Sequence, residues 1–98
     1  MSVLNKVQFK EKLAATPNPQ LIDVRTPEEV AEGAIPNASN IDFYSDDFNT
    51  KISALDKKRP VFVYCKSGGR SGKTAKRLNK MGFNNVYDLK GGFSNWSE

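Results

Sequence analysis

A strand-like run, Val61-Phe62-Val63-Tyr64, leads straight into Cys65, and Lys66-Ser67-Gly68-Gly69-Arg70-Ser71 follows. A thiol at the C-terminal end of a strand lies where open α/β sheets bind their ligands. A helix predicted to begin near Ser71 aims its N-terminal end, with free backbone N–H groups, at the sulfur. Both effects favour the thiolate, the nucleophilic form of cysteine. Cys65 is therefore the candidate catalytic nucleophile. The bland alternative is a small buried hydrophobe; the glycines, Arg70 and the helix start weigh against it.

Lys66 and Arg70 bracket the loop, and Gly68 and Gly69 can take positive-φ conformations that turn successive N–H groups inward. The expected product is an anion cradle centred on Cys65, with the thiol pKa well below its free value of about 8.5. Ser67 and Ser71 can add hydrogen bonds to a bound substrate, and Ser71 is read chiefly as the N-cap of the helix. Asp23 and Arg25 are expected to tie the end of their strand to neighbouring loops. Tyr64, Phe93 and Trp96 are expected in the core.

The elements that must position this loop follow from pattern. Lys6 to Ala15 reads as a helix with Val7, Phe9, Leu13 and Ala14 on its apolar side, ended by Thr16-Pro17-Asn18-Pro19. Leu21 to Val24 is a short apolar run, as in a buried parallel strand. Thr26-Pro27-Glu28-Glu29 has the form of a capping box with proline at the first helical position, and that helix stops at Gly33. Ile35 to Ala38 is a turn and Asn40-Ile41-Asp42 a third strand. Residues 46–55 are weakly helical, with Phe48, Ile52 and Leu55 in phase. After Val61–Tyr64 comes a helix from about Ser71 to Met81, stopped by Gly82. Asn85 to Asp88 is a last strand, Lys90-Gly91-Gly92 a turn, and Phe93 to Trp96 a closing helical turn. Strands alternating with helices imply a parallel α/β sheet covered on both faces, formed by residues 1–98 as one domain.

Composition limits the chemistry. The 98 residues contain one cysteine and no histidine, so an internal disulfide, a histidine base and a Cys/His metal cluster are excluded. Neither metal nor cofactor is expected. A single free cysteine suits a reducing compartment, and residues 1–13 hold no signal peptide or membrane span, so a cytoplasmic location is expected. Residues 1–50 carry four Lys/Arg and eight Asp/Glu, whereas residues 51–98 carry eleven and three. The basic half contains Cys65, which favours an anionic substrate or an acidic partner. Nucleic acid and membrane are not expected partners, because Lys73, Lys76, Arg77 and Lys80 read as the wet face of one helix.

Leu21-Ile22-Asp23-Val24-Arg25, Ile35-Pro36-Asn37-Ala38, the Cys65 loop with Arg70-Ser71, Gly82-Phe83, Val86-Tyr87 and Leu89-Lys90-Gly91-Gly92-Phe93 occur in one order between residues 21 and 96. In this order the chain resembles a single-domain rhodanese. The resemblance implies a five-stranded, mostly parallel sheet flanked by helices, and thiosulfate:acceptor sulfurtransferase activity through a persulfide on Cys65. Residues Lys66, Ser67, Gly68, Gly69, Arg70 and Ser71 would then bind the donor. The family often has His-Ile-Pro-Gly-Ala where this chain has Ala34-Ile35-Pro36-Asn37-Ala38, a departure expected to alter a structural turn.

Thiosulfate suits a site without histidine, because sulfite leaves as a stable anion that needs no proton. The acceptor would be a thiol or cyanide, or a protein sulfur acceptor, and a monomer is the default state. The alternative reading is a relay or docking module that takes persulfide from a partner protein. Phosphatases of related fold and arsenate reductases resemble Cys-x₅-Arg, one residue longer than the Cys-x₄-Arg spacing here. The Lys66–Ser71 stretch also lacks a carboxyl to protonate a leaving oxygen. Ser67 to Thr74 nearly spells a nucleotide-phosphate loop, but Ser67 stands where that motif has glycine.

Overall fold

The structure is a computed structural model, and it describes residues 1–96. Its elements are β1 (Ser2–Leu4), α1 (Lys6–Ala15), β2 (Gln20–Asp23), α2 (Pro27–Ala31), β3 (Ser39–Asn40), α3 (Phe48–Ser53), β4 (Val61–Tyr64), α4 (Gly69–Lys80), β5 (Val86–Leu89) and a 3-10 turn, Gly92–Asn95. The five strands form one sheet in the order β1-β5-β4-β2-β3, and each neighbouring pair is parallel. β4, which delivers Cys65, is thus the central strand. Val61, Phe62, Val63 and Tyr64 are all fully buried there, as a strand covered on both faces requires.

Side chains alternate across the sheet, so each strand feeds two cores. On one face Val61, Val63, Ile22 and Val86 pack with Phe48 and Ile52 of α3 and Ala75 and Leu78 of α4. On the other, Phe62, Tyr64, Leu21 and Leu89 pack with Phe9 of α1, and Trp96 and Phe93 lie against them. Phe9 sits edge-on to both Phe62 and Trp96, at 5.4 and 5.9 Å between ring centres. Tyr64 takes its expected core position, whereas Phe93 and Trp96 are half-buried and pack against that core.

Two expectations need correction, and one strand was not expected. Val7 is 63% exposed and Ala14 is exposed, leaving Phe9 as the one buried residue of α1. Residues two apart lie about 200° apart on a helix and cannot share a face. β1 has no expected counterpart, being three residues at a sheet edge with its first two exposed. The third strand is Ser39–Asn40 rather than Asn40–Asp42. β2 and β5 each lie one residue from their expected spans, while α1 and β4 have the expected bounds.

The Ile35–Ala38 turn explains the departure at Asn37. The Ala38 N–H donates to the Ile35 carbonyl at 3.2 Å, and Asn37 stands at φ 72°. Proline followed by a positive φ is the pattern of a type II turn, which favours glycine and tolerates asparagine. Asn37→Gly is therefore expected to hold or raise stability by up to ~1 kcal/mol, and Asn37→Val to lower it by about 1–2 kcal/mol. Urea denaturation checks the order; a valine variant as stable as the glycine variant would contradict this account of the turn.

Candidate active site

Cys65 leaves the end of β4 with 1% exposure. Burial by itself pushes its thiol pKa up, but hydrogen bonds from the Ser71 hydroxyl and from the N–H groups of Ser71, Gly68 and Ser67 outweigh it. The net shift is downward. The Gly68 N–H donates to Sγ at 3.0 Å, and the Ser71 Oγ lies 3.4 Å from Sγ. Without histidine, the Ser71 hydroxyl and backbone N–H groups at the start of a helix favour the thiolate.

The local backbone makes this possible. Gly68 has φ 111° and ends the loop as the N-cap of α4, without a capping side chain. The helix thus begins at Gly69, two residues before the expected start, and Ser71 is not its cap. Ser71 sits in the first turn, fully buried, with its hydroxyl at the sulfur and 3.4 Å from the Gly68 carbonyl. The early helix start also rules out a nucleotide-phosphate loop across Ser67–Thr74. Thr74 is buried and its hydroxyl donates to the Arg70 carbonyl at 2.9 Å, inside the helix.

The loop is clamped from below by the C-terminal turn. The Phe93 N–H donates to the Cys65 carbonyl at 2.8 Å and the Ser94 N–H to the Lys66 carbonyl at 3.0 Å. Gly92, at φ 61°, makes the approach possible: a Cβ there would lie 2.5 Å from the Cys65 and Lys66 carbonyl oxygens. Sequence pattern marks Gly91-Gly92 as a turn but not as the support of the Cys65 loop. The additional signal was a glycine pair just after the strand beside β4.

Arg70 closes the loop but is not a free cation. Its two terminal nitrogens donate to Glu29 Oε1 and Oε2 at 2.7 and 3.0 Å, a bidentate pair with side chains 18% and 24% exposed. Glu29 also completes the cap of α2, accepting from the Thr26 N–H at 3.0 Å while its own N–H donates to Thr26 Oγ1. The capping box was legible; its second partner was not, because Arg70 lies 41 residues away. The Arg70 guanidinium pKa is raised by Glu29 first, and the nearby Cys65 charge adds to the effect.

Asp23 and Arg25 do tie the strand end to its surroundings. Arg25 Nη2 donates to Asp23 Oδ2 at 2.7 Å and to the Gly33 carbonyl at 2.6 Å, and the guanidinium stacks 4.4 Å from the Phe93 ring centre. Both are buried. Arg25, Glu29, Glu32, Lys66, Phe93 and Ser94 line a cleft of about 210 Å³ beside the loop. Lys66 is exposed at the cleft, and Ser67 and Gly69 are exposed on the loop. Cys65, Gly68 and Ser71 thus meet at the sulfur, Lys66 faces the cleft, and Arg70 is turned to Glu29.

Residues 6–98 match the rhodanese-like domain family. A sulfurtransferase of Allochromatium vinosum is 33% identical over 96% of this chain and 86% of its own length. The thiosulfate sulfurtransferase GlpE of Pseudomonas aeruginosa is 38% identical over 79% of this chain and 68% of its own. Among solved structures, a rhodanese-like domain protein from Staphylococcus aureus superposes with a TM-score of 0.85 at 31% identity, covering 100% of this chain and 93% of that one. The chain belongs to the rhodanese-like family of sulfurtransferases.

The Glu29–Arg70 pair carries a pH signature. Hydrogen bonding from Arg70, the largest cause, holds the Glu29 carboxyl at about 2, against an ordinary 4.5. A depressed carboxylate pKa stabilises the fold above pH 4.5, and the contribution is lost as pH falls toward 2. Glu29→Gln is expected to lower the unfolding free energy by about 1–3 kcal/mol at neutral pH. The gap should narrow between pH 4.5 and 2. Denaturant titrations across that range check it, and a gap independent of pH would contradict it.

Proposed function

We propose that this rhodanese-family chain transfers sulfane sulfur from thiosulfate, or another small anionic donor, to a thiol or cyanide through a persulfide on Cys65. The observation that carries the reading is the set of N–H and hydroxyl donors converging on one buried sulfur. Such a cradle stabilises an anion at the sulfur whether it is the thiolate or the outer sulfur of a persulfide.

In the first half-reaction the Cys65 thiolate attacks the outer sulfur of thiosulfate. A new S–S bond forms, the old one breaks, and sulfite departs with its electron pair. In the second, the acceptor attacks the outer sulfur of the persulfide and the Cys65 thiolate is restored. Neither half-reaction requires a proton at the leaving group, which agrees with a site that has no histidine. Lys66 at the cleft and the loop N–H groups bind the donor. Arg70, held by Glu29, fixes the loop and adds positive charge near the sulfur. The Arg25–Phe93 side of the cleft admits the acceptor.

One observation favours a second reading, a relay that receives sulfur from a partner protein. α4 starts at the site and presents Lys73, Lys76 and Lys80 to solvent, a surface that suits an acidic protein carrying or accepting the sulfur.

Thiocyanate formation from thiosulfate and cyanide tests the primary reading. Cys65→Ser is expected to abolish turnover while leaving the fold intact, since the swap is nearly isosteric. Lys66→Ala should raise KM for thiosulfate by roughly threefold to tenfold with a smaller change in kcat. A serine variant with full activity would overturn the persulfide assignment, and a wild type inert toward thiosulfate but loaded by a persulfidated protein would favour the relay.

A further inference from the structure

The cleft beside the Cys65 loop carries two charges that the fold leaves uncompensated. Arg25, Glu29, Glu32 and Lys66 are its ionic lining. Arg25 pairs with Asp23 and Glu29 with Arg70, each at 2.7 Å. Glu32 and Lys66 are exposed, and neither side chain has an ion pair or hydrogen bond among the described residues.

Printed contacts hold these two residues to one site. Glu32 is the C-cap of α2. The carbonyl of the next residue, Gly33, accepts from Arg25 Nη2 at 2.6 Å, and the Arg25 guanidinium lies 4.4 Å from the Phe93 ring centre. The N–H groups of Phe93 and Ser94 then donate to the Cys65 and Lys66 carbonyls. The end of α2 and the reactive loop are thereby fixed around a shared Arg25–Phe93 floor.

Glu32 serves neither its helix nor an anionic donor. A carboxylate at a helix C-terminus meets the negative end of the helix dipole, and α2 has no basic residue in its last turn. Toward thiosulfate its charge is repulsive. Two unpaired charges of opposite sign on one cleft suit a ligand that carries a cation as well as an anion. The cleft holds about 210 Å³, below the roughly 300–1,000 Å³ of sites for drug-sized ligands, so that ligand is compact.

We infer that this cleft takes a compact aminothiol as the sulfur acceptor, Glu32 holding its ammonium group and Lys66 its carboxylate where it has one. The inference deepens the sulfur-transfer reading and rests on the Cys65 persulfide. Departure of sulfite frees Lys66 for the second ligand. The acceptor thiolate, its proton lost to solvent, attacks the outer sulfur of the persulfide. A new S–S bond forms on the acceptor, the old one breaks, and its electron pair returns to Cys65 Sγ. The acceptor leaves as its own persulfide.

The test compares wild type with Glu32→Gln and Glu32→Lys. Each is loaded with sulfur from thiosulfate, or from inorganic polysulfide where thiosulfate does not load. Discharge by cysteine, cysteamine or β-mercaptopropionate is then followed at low ionic strength as loss of the added mass from intact protein. β-Mercaptopropionate is cysteine without its amino group, so the ratio of their rates reports the ammonium. Comparing that ratio between proteins cancels the intrinsic reactivity of each thiol.

The cysteine-to-β-mercaptopropionate ratio is expected to fall about threefold to fivefold in Glu32→Gln, and further in Glu32→Lys. Cysteamine should follow cysteine, and added salt should shrink the difference. Loading by the anionic donor should move the other way and become faster in both variants. An equal ratio in wild type and Glu32→Gln, whatever the absolute rates, would overturn the inference. So would slower loading together with slower discharge, which marks a structural effect. A wild type that takes sulfur from neither donor would refute the persulfide reading, and the inference with it.

Discussion

A buried sulfur whose thiol pKa is nonetheless lowered sets the terms for the rest of this fold. Burial opposes the charge, and the chain has no histidine to offset it. The remaining donors are the Ser71 hydroxyl and the backbone, so both have to be brought to the sulfur at hydrogen-bonding distance. That requires a strand ending at Cys65, a left-handed residue at Gly68, and a helix starting at once. A buried central strand rather than an edge strand is the natural support, because both its neighbours and both its faces fix where it ends.

The loop is then held from two sides by groups distant in sequence. Beneath it, Gly92 lets the backbone of the C-terminal turn donate to the carbonyls of Cys65 and Lys66. At its far end, Arg70 is pinned by Glu29, which is itself positioned by the capping box of α2. Arg25 joins the two supports, reaching from Asp23 to the Gly33 carbonyl and stacking on Phe93. The Glu29 contact also changes the electrostatics. It pairs the charge of Arg70 with a carboxylate, so the Cys65 thiol pKa is lowered chiefly by the Ser71 hydroxyl and the loop N–H groups, and the exposed Lys66 faces the cleft.

The parts of this arrangement that were legible in the sequence are those encoded locally. Val61–Tyr64 reads as a buried strand, Thr26–Glu29 as a capping box, and the Cys65 loop as a cradle, because each signal lies within a few residues. The start of α4 was misplaced because two glycines carry no helical preference; the tertiary clamp, not propensity, makes Gly69 helical. The partners of Arg70 and Gly92 were hidden because they depend on how strands align, which a single chain of letters does not state. The Asn37 departure was correctly located in a turn, and its positive φ gives the reason that glycine or asparagine stands there.

The central claim is that the backbone cradle makes Cys65 a carrier of sulfur. Intact-protein mass measurement after brief incubation with thiosulfate, with Cys65→Ser alongside, tests it most directly. The account predicts a gain of one sulfur atom on the wild type alone, reversed by cyanide or a small thiol. A wild type that gains no sulfur from thiosulfate or from a persulfidated protein, while its cysteine stays reactive to alkylation, would contradict it.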